Sequence, residues 1–205
     1  MLLEINPENM DQRLINQVVD ILQGGGLIIY PSDSVYSIGC DASNREAIRK
    51  LARFKNQKLN KTRFSIICSD ISDIASYTKQ LSRPVFKVLK HHLPGPFTFI
   101  LEANNEIPKI FDSKRKEIGI RIPDHPITQA IVDAMGTPLV TSSLHDDEDT
   151  IMDYFLDPYQ IYERFDKQVD LIIDGGPGKL YASTVVDCTG EDIEVIREGI
   201  GILQL

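Results

Sequence analysis

The sequence predicts a single α/β (α+β) domain spanning residues 1–205, built on a central, mostly mixed sheet flanked by helices. Three observations carry this. Helix-period and strand-like segments interleave along the whole chain, which is the pattern of helices packed on a sheet. The 205 residues are 42% hydrophobic and 25% charged, the composition of an ordinary globular protein with material for a sizeable core. No internal repeat and no low-complexity linker divides it.

Taken in order, residues 9–23 place Leu14, Ile15, Val18, Val19 and Leu22 at spacings of three and four, one face of a helix, and Gly24, Gly25 and Gly26 stop it. Residues 27–30 form a short apolar run closed by Pro31, a buried strand ending at a turn. Asn44 caps a second helix over 44–54, with Ala47, Ile48, Leu51 and Ala52 inward. A basic, polar stretch follows. The pattern then gives a strand at 64–68, a short helix at 72–77, a helix at 84–90, a break at His91-His92-Leu93-Pro94-Gly95-Pro96 and a strand at 97–101. A strand at 118–122, a helix at 126–135 closed by Gly136 and a strand at 138–141 come next. Asp157-Pro158 opens a helix to 165, with Asp as cap and Pro at the first position. Strands at 171–174, 184–188 and 194–196 end the chain.

Twenty-two Lys plus Arg against thirty Asp plus Glu give a charge of −8, which disfavours functions that rest on bulk attraction to phosphate backbones but leaves room for a local basic cleft. Cys40, Cys68 and Cys188 are odd in number and form no C-x-x-C pair, so the sequence suggests neither a disulfide framework nor a zinc ribbon and points to a reducing, cytoplasmic setting. No basic leader precedes an apolar core, and no run has the length of a membrane span.

Several segments bear chemistry. The stretch YPSDSVYSIGCDA sets hydroxyls and a carboxylate directly after a buried strand, where open α/β sheets bind ligands; a turn held by its own Ser and Asp side chains reads equally well. Lys55, Lys58, Lys61 and Arg63 cluster as a grip for phosphates or as a solvated loop. Arg121 sits inside the apolar run GIRIP, where an unpaired guanidinium is costly, so it calls for an anion from the fold or from a substrate. Thr141, Ser142, Ser143 and His145 again follow a strand. The acidic run 146–149 lacks calcium-loop spacing, Gly175-Gly176-Pro177-Gly178-Lys179 lacks the Walker residues and reads as a turn, and His91-His92 cannot both face one metal; no metal site is expected.

The segments YPSDSVYSIGCDA, F-K-N-Q, FSIIC, LPGPFTFIL, IGIRIPDHP, PLVTSSLH, STVVD and VIREG, in this order, resemble the YrdC/YciO family of threonylcarbamoyl-AMP synthases, on the YciO side. The resemblance implies a twisted sheet around a concave cavity and condensation of L-threonine, bicarbonate and ATP into threonylcarbamoyl-AMP and pyrophosphate for tRNA modification. It implies ATP as substrate with Mg2+, no tightly bound cofactor and a downstream tRNA-modifying transferase as partner. By motif match, Ser32, Ser34, Tyr36, Arg121 and Ser183 would contact threonine, and Lys55, Gln57, Thr98, Ser143, His145 and Arg197 the nucleotide, with Lys55 and Arg121 bearing catalysis. Gln57 stands where the family has arginine and His145 where it has asparagine. Two other readings stay open: a double-stranded RNA-binding protein of this fold, and an ATP-dependent enzyme for a different amino-acid-like substrate.

Overall fold

The computed structural model describes residues 1–144 and 155–205. Its first helix, α1 (Gln12–Gln23), starts three residues later than the apolar spacing suggests, because Asp11 accepts the Arg13 N–H at 2.9 Å and so caps it. Gly25 then turns the chain at φ +82°. Asn44 caps α2 (Arg45–Phe54) through the Ala47 N–H at 3.1 Å, and Asp157 caps the later helix Pro158–Phe165 through Tyr159 N–H at 2.9 Å. Between them lie α3 (Ile71–Ile74), α4 (Arg83–His92), α5 (Glu106–Phe111) and α6 (Pro126–Met135), the last closed by Gly136 at φ +65°; Pro158–Phe165 is α7. The expected helix at 72–77 shrinks to one turn, and α5 has no counterpart in the sequence pattern.

Among the described residues ten strands form one mixed sheet: β1 (Leu2–Glu4), β2 (Ile28–Tyr30), β3 (Ser37–Asp41), β4 (Ser65–Ile67), β5 (Phe97–Glu102), β6 (Glu117–Arg121), β7 (Leu139–Ser143), β8 (Leu171–Asp174), β9 (Thr184–Asp187) and β10 (Glu194–Arg197). Their order across the sheet is β1-β8-β2-β3-β7-β4-β6-β5-β9-β10. Two strands are additions to the sequence reading. β1 is three residues paired parallel with β8, and β3 lies antiparallel between β2 and β7 where the sequence suggested only a turn rich in hydroxyls. β3 is hidden in the pattern because all five of its residues are buried, so its small residues meet neighbours on both faces. A Cβ at Gly39 would press on the Val140 carbonyl and the Tyr30 ring.

Side chains alternate between two cores. One, beneath α2, α4, α5 and α7, takes Ile38, Ile66, Phe97, Phe99, Ile120, Val140 and Val186. The other lies under α1 and α6 and takes Ile28, Tyr30, Ile67, Leu139, Leu171 and Ile173. That second pair of helices covers β8, β2, β7 and β4 but does not extend over β6, β5, β9 and β10. The uncovered half of the face is where the candidate site forms.

Candidate functional site

A concave cavity of about 750 Å3 opens on this face, within the size range of small-molecule sites. Register sets its floor. Arg121 lies beside Ile67, Thr98 beside Val185, and Val185 beside Arg197. Arg121 and Arg197 therefore stand on strands three apart, roughly 14 Å between backbones at the usual strand spacing, with Thr98 and Val185 on the strands between them. Ser65, Gly119 and Ile100 form the next row, also matched by register. The wall toward β7 adds Thr141, Ser142 and Ser143. The floor is thus neutral and rich in hydroxyls, with a guanidinium at each end.

At one end, the Arg121 side chain is almost wholly buried, and its Nη2 donates to Asp33 Oδ1 at 2.8 Å and to Ser34 Oγ at 3.0 Å. The anion that the buried arginine required is supplied by the fold itself, from the turn after β2. Asp33 Oδ2 also accepts the Asp124 N–H at 2.9 Å. Arg121 Nε remains buried with no hydrogen-bond partner among the described residues, a donor suited to a further anion. Ser32 Oγ donates to the Val35 carbonyl at 2.8 Å and lies 3.2 Å from Ser34 Oγ, so the hydroxyls are held by the turn. Tyr36 OH donates to the Gly176 carbonyl at 2.7 Å and accepts the Gly175 N–H at 3.3 Å; burial pushes its phenol well above the ordinary range. Tyr36 ties the Gly175–Gly178 turn to β3 instead of opening into the cavity.

At the other end, Thr98 Oγ1 and Ser183 Oγ lie 2.8 Å apart, and Arg197 Nη2 donates to the Ser183 carbonyl at 2.8 Å. The mouth is basic: Arg63, Lys114, Arg115 and Lys116 join Arg121 and Arg197 in the lining, against Glu117 as the lining carboxylate among the described residues. Arg115 differs from its neighbours. It donates to the carbonyls of Thr62 and Phe64 and to Thr62 Oγ1 at 2.6 Å, and lies 4.0 Å over the Phe111 ring. Burial lowers its pKa to about 10, which leaves it charged at neutral pH.

The cavity thus gathers Arg63, Thr98, Arg121, Thr141, Ser142, Ser143, Ser183 and Arg197 from the residues singled out in the sequence, and Ser32 and Ser34 adjoin it through Arg121. Lys55 is buried at the end of α2 and Gln57 is exposed in a shallow depression with Glu46, Arg49, Ala52, Arg53 and Leu59; neither lines the cavity. His145 and the acidic run 146–149 lie outside the described residues. Asp33, Lys114, Arg115 and Lys116 were not singled out as site residues, though the Asp33 carboxylate was visible in its turn. His125, which precedes α6, also escaped notice; burial lowers its pKa against an opposing pull from Asp33, and its Nδ1 is buried with no partner among the described residues. His92 is a core residue: Nδ1 donates to the Val88 carbonyl at 2.8 Å and Nε2 accepts the Gln204 N–H at 3.0 Å. Among the described residues no group of three or more His, Cys, Asp or Glu side chains is placed to hold a metal ion, and no helix is long and apolar enough to cross a membrane.

Comparison with known proteins places this geometry in context. The family model named for Sua5, YciO and YrdC, with the description "Telomere recombination", matches residues 20–199. The uncharacterised protein YciO of Escherichia coli K12 is 39% identical over 198 residues, 96% of this chain and 94% of its own. A crystal structure of E. coli YciO has a TM-score of 0.89 at 37% identity, covering 98% of this chain and 97% of that one. A threonylcarbamoyl-AMP synthase of Coxiella burnetii is 28% identical over 173 residues, 84% of this chain and 90% of its own. The fold is also that of P. abyssi Sua5 complexed with L-threonine, with a TM-score of 0.87 at 20% identity over 97% of this chain and 57% of that one.

Proposed function

The chain belongs to the Sua5/YciO/YrdC family, and from that premise we propose that it condenses L-threonine, bicarbonate and ATP into threonylcarbamoyl-AMP and pyrophosphate. The observation that carries this reading is the pair of arginines, Arg121 and Arg197, lining opposite ends of a hydroxyl-rich floor in a cavity large enough for an amino acid and a nucleotide. A related protein is named as this synthase and another is described in complex with L-threonine, which supports the choice of substrate.

In the proposed reaction the threonine amine loses a proton and its nitrogen bonds to the carbon of CO2, formed from bicarbonate with release of hydroxide. The proton and hydroxide give water. A carbamate oxygen then bonds to the α-phosphorus of ATP as the bond to the bridging oxygen breaks, and pyrophosphate leaves. None of these steps needs a protein nucleophile. The chain contributes position and charge: Arg121 Nε receives the threonine carboxylate, Ser34 and Ser183 offer hydroxyls to the amino acid, and Arg197 neutralises charge near the reacting phosphate. Mg2+ enters with the ATP phosphates, and a lining whose described carboxylate is Glu117 alone suits a cation carried in on the substrate.

The test is pyrophosphate release by purified protein with ATP, Mg2+ and bicarbonate, with and without L-threonine. Release should require threonine and disappear in Arg121→Ala and in Arg197→Ala, which also excludes a contaminating activity. A folded wild-type protein that binds ATP but releases no pyrophosphate with threonine would overturn the reading, and activity with another amino acid would reassign the substrate.

A further inference from the structure

We propose that the terminal phosphates of the nucleotide are gripped by three rim cations, Arg63, Lys114 and Lys116, aligned by the half-buried Arg115, instead of by the turn after α2. This inference rests on the nucleotide reading above and assigns residues to it.

The first support is placement. All three cations line the cavity, whereas Gln57 faces a separate depression and Lys58 and Lys61 are outside the lining. The two cations that share this depression with Gln57, Arg49 and Arg53, both pair with Glu46. In the turn after α2, Lys58 and Lys61 therefore add no charge to the lining of the cavity.

The second support is construction. Arg115 holds the carbonyls on both sides of Arg63, those of Thr62 and Phe64, while its own chain neighbours are Lys114 and Lys116. Thr62 Oγ1 accepts from Arg115 and itself donates to the Leu59 carbonyl at 2.9 Å, which anchors the segment from its other side. One half-buried guanidinium thus brings together two separate segments and sets three exposed cations at one rim. Arg115 is a positioning residue, because its donors are used on the protein.

The third support is charge. Arg63, Lys114 and Lys116 form no salt bridge among the described residues, whereas Lys79 and Lys109 on the outer surface pair with Glu102 and Glu106. Three uncompensated cations at one rim suit a short polyphosphate, and charge there would stabilise pyrophosphate as it leaves.

The experiment is calorimetric titration of the full chain with inorganic tripolyphosphate, AMP and L-threonine. In Lys114→Ala/Lys116→Ala, where both side chains are exposed, tripolyphosphate affinity should fall at least about tenfold, the loss expected for hydrogen bonds to charged groups. AMP and threonine affinities should hold within about threefold. Arg63→Ala should act in the same direction, and Gln57→Arg and Lys58→Ala/Lys61→Ala should leave tripolyphosphate binding unchanged. Arg115→Ala should lose tripolyphosphate but keep threonine binding, and Arg115→Lys, which retains a donor for the Thr62 carbonyl, should recover part of the loss. Wild-type affinity in the Lys114/Lys116 double variant, or loss in the Lys58/Lys61 variant, would overturn the assignment, as would a wild-type protein that does not bind tripolyphosphate. Threonine-dependent turnover separates the two readings: turnover with unaffected rim variants removes the rim and keeps the synthase, and a rim effect without turnover does the reverse.

Discussion

The ion pair between Asp33 and Arg121 gives a prediction whose size follows from burial. Both residues are 5% exposed or less, and Arg121 Nη2 lies 2.8 Å from Asp33 Oδ1. Removing one partner of such a pair strands a buried charge, at a cost of about 3–5 kcal/mol. Asp33→Asn keeps an amide oxygen for Arg121 but loses the charge and offers an N–H donor where the Asp124 N–H needs an acceptor. The lower end, about 3 kcal/mol, is therefore expected. For a chain of 205 residues this lowers Tm by roughly 6–12 °C. Replacing both partners, in Asp33→Leu/Arg121→Met, leaves no buried charge and should return stability to within about 1 kcal/mol of wild type. Urea unfolding followed by circular dichroism gives each value, and the double-mutant cycle gives the coupling. Single substitutions that each cost less than about 1 kcal/mol and add without coupling would refute the view of Arg121 as a buried, internally paired cation.

Two further predictions use other parts of the same face. His125 has a folded pKa below the ordinary 6.5, chiefly through burial. The unfolded chain therefore binds a proton there more readily, so this contribution to stability is complete above pH 6.5 and is lost as pH falls through the folded value. Urea midpoints at several pH values should show wild type losing stability relative to His125→Asn as pH drops below 6.5; a pH-independent difference would contradict the assignment. On the cavity floor, a Cβ at Gly119 would press on Ser65 Oγ and the Thr98 methyl, so Gly119→Val should cost about 1–3 kcal/mol and abolish ATP binding by calorimetry. Wild-type ATP affinity in that variant would place the nucleotide elsewhere.

How far the sequence could be read depended on how local each determinant was. α1, α2, α6 and α7 were legible because their caps and apolar periods lie within a few residues. β1 was not, since its three residues become a strand only by pairing with β8 near the other end of the chain. β3 was obscured by burial on both faces, which removes the alternation that marks a half-exposed strand. Arg121 was legible as a buried cation in need of an anion, yet its partner Asp33 is 88 residues away and was indistinguishable from an ordinary turn carboxylate. Nothing in the local sequence marks Lys114 and Lys116. Their significance comes from Arg115 reaching Thr62, 53 residues back, and no spacing rule reports such a bond.

The distribution of charge explains how an acidic chain can present a site for anions. A net charge of −8 is a sum over the molecule, whereas a ligand inside the cavity responds to groups within a screening length of about 8 Å. Six cations, Arg63, Lys114, Arg115, Lys116, Arg121 and Arg197, line the cavity against the single described carboxylate Glu117. Asp33 offsets Arg121, and Arg115 is occupied by carbonyls, so among the described residues the lining cations without an ion pair are those of the rim, Arg63, Lys114 and Lys116. A compact anion that enters the cavity meets this local field and little else. A long polyanion would have to cross the acidic exterior as well, where repulsion opposes the rim. The same arrangement therefore favours small, multiply charged ligands over extended ones, and it does so without making the protein basic.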